Sequence, residues 1–141
     1  MRDIVFKAKR LDNGEWVEGS LLQTTAVSLK SFIVESSCYT FDKWDWNECV
    51  QVDTETICQY TGLTDKNRNK IWENDVVDRK EKYPEVVKQY QGDWVLDYSY
   101  AFGKDVGYDY SNLGFYVCER ECVEVIGNIF DNPELLGEQN G

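Results

Sequence analysis

The chain reads as mainly β, built of antiparallel hairpins that form a sandwich or a small barrel, with a short helical turn near its C-terminus. Three observations predict this. Apolar segments of about five residues recur, with turn signals spaced as all-β chains space them, every 8–12 residues or so. The dipeptide Asn13-Gly14 and the tripeptide Gln91-Gly92-Asp93 each separate two apolar-rich segments, as hairpin turns do. No amphipathic stretch of about 12 or more residues competes with the strand pattern. With 141 residues, 14% of them aromatic, the chain can build a core and is not a disordered polymer. A domain of this size buries roughly 68–70% of its unfolded surface and needs no staples.

In chain order, Ile4, Phe6 and Ala8 alternate with Val5, Lys7 and Lys9, the period of a half-buried strand. Asn13-Gly14 predicts a type I′ turn, which requires positive φ twice, and Trp16 to Leu22 returns. Phe32-Ile33-Val34 is a third short strand. Residues 35–50 stay open between a loop and a partly buried lid, because Ser36, Ser37 and Asp42 alternate with Tyr39, Phe41, Trp44 and Trp46. Asp53 can cap a single helical turn, whereas Thr56 and Ile57 favour strand. Thr61-Gly62-Leu63 is expected to break that segment before a polar turn over 65–70. Ile71, Glu73 and Asp75 then share a strand face, with a bend at Asn74-Asp75 before Val76-Val77. Val86 to Tyr90 and Trp94 to Tyr98 form a second hairpin; Gly114 to Cys118 and Val123 to Phe130 are two further strands. Asn132 caps a short helix that starts at Pro133.

Composition narrows the function classes. The net charge is −11, which argues against duplex DNA and against anionic membrane surfaces as partners. The N-terminus is charged and alternating rather than signal-like, and no apolar run nears the roughly 20 residues of a membrane span, so the expected location is cytoplasmic. Five Cys without a secretion signal read as reduced thiols rather than disulfides. Their spacing, with Cys118 and Cys122 as the closest pair and no His in the chain, does not make a zinc site. The absence of His also removes His-based triads and Cys-His dyads. The sequence points to no cofactor.

Two stretches carry a family likeness. The first runs Gln59-Tyr60-Thr61-Gly62-Leu63-Thr64-Asp65-Lys66-Asn67 and continues as Ile71-Trp72-Glu73-Asn74-Asp75-Val76-Val77; the second is Val125-Ile126-Gly127-Asn128-Ile129-Phe130-Asp131-Asn132-Pro133-Glu134-Leu135-Leu136. With the opening Met1 to Ala8 and Trp16-Val17, the chain resembles the YopX family, small proteins carried by bacteriophages and by prophages. Arg68 and Asn74 stand where that family usually has Gly, and Trp72 where it has Tyr. Asn tolerates left-handed φ, so the bend at 74 survives; around Arg68 the turn should differ in type, with a neighbouring Asn taking the positive φ. The resemblance implies a β-rich chain with an SH3-like small barrel in its C-terminal part. Residues 1–55 would then be an N-terminal hairpin region and 56–141 the barrel region, or the two would form one unit. It implies no particular reaction.

Candidate sites follow. The segment from Asp97 to Asn112 mixes Tyr98, Tyr100, Phe102, Tyr108 and Tyr110 with Ser, Gly and Asn, the composition of binding loops. Trp44 and Trp46 offer a second aromatic contact. Glu73 with Asp75, and Asp53 with Glu55, are carboxylate pairs that could hold a metal, although carboxylates beside a tight bend more often accept backbone N–H bonds. Gln59, Tyr60, Thr61, Gly62, Leu63, Asp65, Gly127 and Asn128 read as structural: Gly62 supplying positive φ, Thr61 capping the turn and Tyr60 in the core. The basic residues Lys66, Arg68, Lys70, Arg79, Lys80 and Lys82 serve charge balance or a phosphate backbone. The leading reading is a non-enzymatic module that holds a protein partner, or a second copy of itself, through aromatic loops and an acidic surface. The alternatives are a metal-dependent hydrolase using Glu73 and Asp75, and a nucleic-acid-associated module using the basic cluster.

Overall fold

Strands β1 (Phe6–Lys9) and β2 (Trp16–Thr24) pair as the first hairpin in the computed structural model, which describes residues 4–25, 27–35, 49–101 and 111–137. Its turn is not the expected type I′. The loop runs from Leu11 to Gly14, and positive φ falls on Gly14 alone. The Asn13 side chain instead accepts a bond from the Glu15 N–H at 2.9 Å, so Asn13 stabilises the turn as an acceptor and not through its φ.

The chain divides into two compact units, residues 1–60 and 61–141. In the first, β3 (Lys30–Glu35) pairs with β2, β4 (Cys49–Val52) with β3, and β5 (Cys58–Thr64) with β1, all antiparallel. The order is therefore β4-β3-β2-β1-β5. Ala8, Val17, Ile33 and Val52 form its core, with Phe6, Leu21, Val50 and Ile57 against them. Before β5, Thr54–Thr56 make the single helical turn that Asp53 was expected to cap; its carboxylate accepts from the Glu55 N–H.

β5 runs on past the predicted break. Gly62 has φ +86°, as expected, but the strand continues to Thr64 and pairs with β6 (Lys70–Trp72). Thr61 bridges the irregularity: its hydroxyl donates to the Ile71 carbonyl at 2.7 Å and accepts from the Leu63 N–H. In the second unit, β7 (Asp75–Asp78), β8 (Glu85–Tyr90), β9 (Asp93–Asp97), β10 (Ser111–Asn112) and β11 (Glu124–Asn128) form an antiparallel sheet in the order β10-β9-β8-β7-β11. Neither sheet closes into a barrel. Ile71, Val77, Val87, Leu96, Leu113 and Val123 form the core of this unit.

Other expectations are corrected. Residues 114–118 are not a strand but part of helix α1 (Leu113–Cys118), capped by the Asn112 side chain, which accepts from the Phe115 N–H at 2.9 Å. Leu113, Tyr116 and Val117 recur at helical spacing and pack on the core. Strand propensity in Phe115-Tyr116-Val117 loses to that packing. The last strand stops at Asn128, whose side chain accepts from the N–H groups of Phe130 and Asp131. At the start of α2 (Glu134–Gly137) the Asn132 carbonyl accepts from the Leu135 N–H, while its side chain accepts from the Asn128 N–H, and a Cβ on Gly127 would lie 2.5 Å from its Oδ1. The type I′ geometry predicted at Asn13-Gly14 occurs instead at Gln91-Gly92, both at positive φ, between the paired Tyr90 and Asp93. No helix among the described residues is long and apolar enough to cross a membrane.

Arg68 also departs from expectation. It takes φ +70° itself, and neither neighbouring Asn does. The Asp65 carboxylate fixes this by accepting from the N–H groups on both sides of it, Asn67 at 2.9 Å and Asn69 at 2.8 Å. The strain of a left-handed Arg is about 1–2 kcal/mol. Arg68→Gly should therefore raise stability, by about 0.5–1 kcal/mol once glycine's extra unfolded-state freedom is subtracted. Urea unfolding checks this; a loss of stability would show that the Arg68 side chain holds the turn.

Candidate functional site

The β8–β9 hairpin sets up the site. Val77 pairs with Glu85 and Val87 with Leu96, so Glu85 projects to the same sheet face as these core residues. It is 1% exposed, a carboxylate at the end of an apolar row. Arg79, two residues past Val77, meets it: Nε lies 2.5 Å from Glu85 Oε1. The same guanidinium donates to Glu81 Oε1 at 3.0 Å and to Ser111 Oγ at 3.4 Å, and sits 4.2 Å from the centre of the Tyr116 ring. Helix α1 thus supplies the aromatic face on which the cation rests. Glu85 Oε2 is buried and has no hydrogen-bond partner among the described residues.

Outside this pair lies a hollow of about 220 Å³ lined by Arg79, Glu81, Lys82, Tyr83 and Tyr98. The rings of Tyr83 and Tyr98 are 18° from parallel with centroids 6.4 Å apart. Lys82 Nζ stands 5.4 Å from the centre of the Tyr83 ring. Tyr100 is anchored by its hydroxyl, which donates to the Pro84 carbonyl at 2.8 Å. The opposite face of the hairpin carries a second hollow, of about 390 Å³, between Val86, Tyr100, Ile129 and Leu136, with the Lys88–Asp97 pair in its wall.

The electrostatics of the buried pair are unequal. Burial pushes the Glu85 carboxyl above the usual glutamate range, and the Arg79 bond offsets this only in part. The folded chain therefore holds a proton on Glu85 more tightly than the unfolded chain does. The resulting cost is absent in acid and grows as pH rises from the unfolded glutamate value, about 4.3, through the raised folded one. Against the parent, Glu85→Gln should accordingly gain ground as pH rises through that window, whatever the offset between the two proteins. Urea midpoints of both at several pH values read this directly; a gap that does not change with pH would contradict it.

The predicted residues distribute as follows. Tyr98 lines the first hollow, and Tyr100, its hydroxyl bonded to the Pro84 carbonyl, lines the second. Trp44, Trp46, Phe102, Tyr108 and Tyr110 lie outside the described residues. Glu73 and Asp75 do not share a strand: a turn at Glu73-Asn74 separates β6 from β7, with Asn74 at φ +70° as expected there. Asp75 Oδ2 accepts from the Trp72 N–H at 2.8 Å, closing that turn. Asp65 holds the 65–69 turn and also accepts from the Val125 N–H at 2.9 Å, tying the turn to β11. Gln59 and Tyr60 are half-buried in β5, and Leu63 packs on the second core. Among the described residues no group of three or more Cys, Asp or Glu stands where it could hold a metal ion, and Cys49, Cys58, Cys118 and Cys122 are free thiols. Three of the basic residues are engaged within the chain: Lys66 pairs with Glu124, Lys70 lies over Trp72 and Arg79 is taken by Glu85.

Sequence reasoning missed Glu81, Tyr83 and Glu85. The available signal was a charged residue, Glu85, directly preceding the buried pair Val86-Val87, with Arg79 just beyond Val76-Val77.

A family model described as YopX protein matches residues 5–137. The crystal structure of protein EF1440 from Enterococcus faecalis is similar, with a TM-score of 0.55 and 22% identity over 96% of this chain and 99% of that one. At that identity the likeness concerns the fold alone. No curated protein matches.

Proposed function

The chain belongs to the YopX family, and from that premise we propose that it is a non-enzymatic protein-binding module of phage or prophage origin, acting in the bacterial cytoplasm. The observation that carries this reading is the hollow flanked by Tyr83 and Tyr98, in which Arg79 is paired with Glu81 and Glu85 and Lys82 stands over the Tyr83 ring. Tyrosine gives contact area at low entropic cost, and a cluster of it beside Arg is the composition of interface hot spots. Tyr98 also opens the aromatic segment that continues in sequence to Phe102, Tyr108 and Tyr110. The hydrolase alternative loses support because Asp75 is used in closing a turn. The nucleic-acid alternative loses support because two of its cations, Lys66 and Arg79, are held in pairs within the chain.

The test is affinity capture from host lysate by the parent and by the double variant Tyr83→Ser, Tyr98→Ser, with quantitative mass spectrometry. A partner recovered at least tenfold less by the variant supports the reading. Equal recovery of the same proteins overturns it.

A further inference from the structure

We propose that the Tyr83–Tyr98 hollow accepts an arginine side chain of a basic protein partner, and that Lys82 occupies the place of that cation in the free protein. The inference rests on the reading of this hollow as the contact surface. Four features support it. First, two tyrosine faces, tilted by only 18° from each other, are surfaces on which a planar guanidinium stacks. Second, a cation from the chain itself already sits there, with Lys82 Nζ at 5.4 Å from the Tyr83 centroid. Third, the positive charge of Arg79 is directed away from an incoming ligand: Glu85 and Glu81 hold it at 2.5 and 3.0 Å, and the same group is stacked on Tyr116. Among the described residues, the cations Arg79 and Lys82 and the carboxylates Glu81 and Glu85 balance, and the net charge of −11 on the chain attracts cations. Fourth, at about 220 Å³ the hollow suits one side chain and falls below the ~300–1,000 Å³ typical of small-molecule pockets. Glu81, 57% exposed at its side chain, is the carboxylate an entering guanidinium can reach.

The sign of one variant distinguishes this from anion recognition. Lys82 is exposed, so Lys82→Ala leaves the fold intact. Removing it takes away both an internal competitor and a like charge. An arginine should then bind more tightly, whereas an anion would bind less tightly.

The experiment titrates the full chain with acetyl-Gly-Arg-Gly-amide, and with acetyl-Gly-Glu-Gly-amide as the anionic control, and follows amide and tyrosine-ring resonances by NMR. The arginine peptide is expected to shift signals of Glu81, Tyr83 and Tyr98. Its Kd should fall at least threefold in Lys82→Ala and rise at least threefold in Glu81→Gln and in Tyr98→Ser, with unshifted spectra elsewhere reporting that the variants fold. No shift with the arginine peptide, preference for the glutamate peptide, or weaker binding in Lys82→Ala would each overturn the inference. If the peptide fails while the double tyrosine variant still loses its captured partner, the contact surface stands and only the arginine assignment falls.

Discussion

Arg79→Ala is expected to destabilise the protein by about 3–5 kcal/mol at neutral pH, the cost of leaving one member of a buried ion pair without the other. Glu85 is 1% exposed, and its Oε2 has no partner among the described residues, so losing Arg79 leaves the buried carboxylate without its charge partner. The packing of Arg79 on Tyr116 is lost as well. The effect should shrink in acid, because a protonated Glu85 needs no cation. Arg79→Met with Glu85→Leu should recover most of the loss, since replacing both charges by apolar groups is often neutral or stabilising. Urea unfolding followed by tryptophan fluorescence measures all three proteins. A cost below about 1 kcal/mol for Arg79→Ala, the range of an exposed pair, would mean that the pair is solvated.

Asp65→Ala should cost about 2–4 kcal/mol, because the carboxylate accepts three backbone N–H bonds that no other group replaces. Burial works against the charged form, and the bonds from Val125, Asn69 and Asn67 outweigh it, so the folded carboxyl titrates below the usual aspartate range. The stabilisation is fully present above the ordinary value of about 3.9 and is lost as pH falls through the folded one. Asp65→Ala should therefore flatten the acid limb of the stability curve. Two further results are expected: the left-handed turn at Arg68 loosens and β11 loses a tether, so the amides of Arg68, Asn69 and Val125 should exchange faster with solvent.

The parts of this fold that could be read in the sequence are those set by local chemistry. Alternation at Phe6 and Ala8, the cap at Asp53 and the hairpin around Gly92 depend on residues within a few positions of one another. Misreadings arose where core packing or a side-chain hydrogen bond overrides the preference of the residue itself. Leu113 to Cys118 carries strand-forming residues, yet the Asn112 cap and the core under Leu113, Tyr116 and Val117 make it a helix. Arg68 is left-handed because Asp65 brackets it, and nothing in Arg itself signals that. The two carboxylates at 73 and 75 had the spacing of one strand face, but the turn at Asn74 separates them. Of the site, Tyr98, Arg79 and Lys82 were legible as candidates, and Glu81, Tyr83 and Glu85 were not. Pairing Arg79 with Glu85 requires the register of β7 on β8, which a single sequence does not reveal.

The most direct measurement is hydrogen exchange across the whole chain, free and bound to a partner recovered by affinity capture. Slower exchange over 79–83 and in Tyr98 to Tyr100 on binding is the result expected if the tyrosine hollow is the contact surface. Protection confined to residues 1–60, with 79–83 and 98–100 unchanged, would place recognition elsewhere and contradict it.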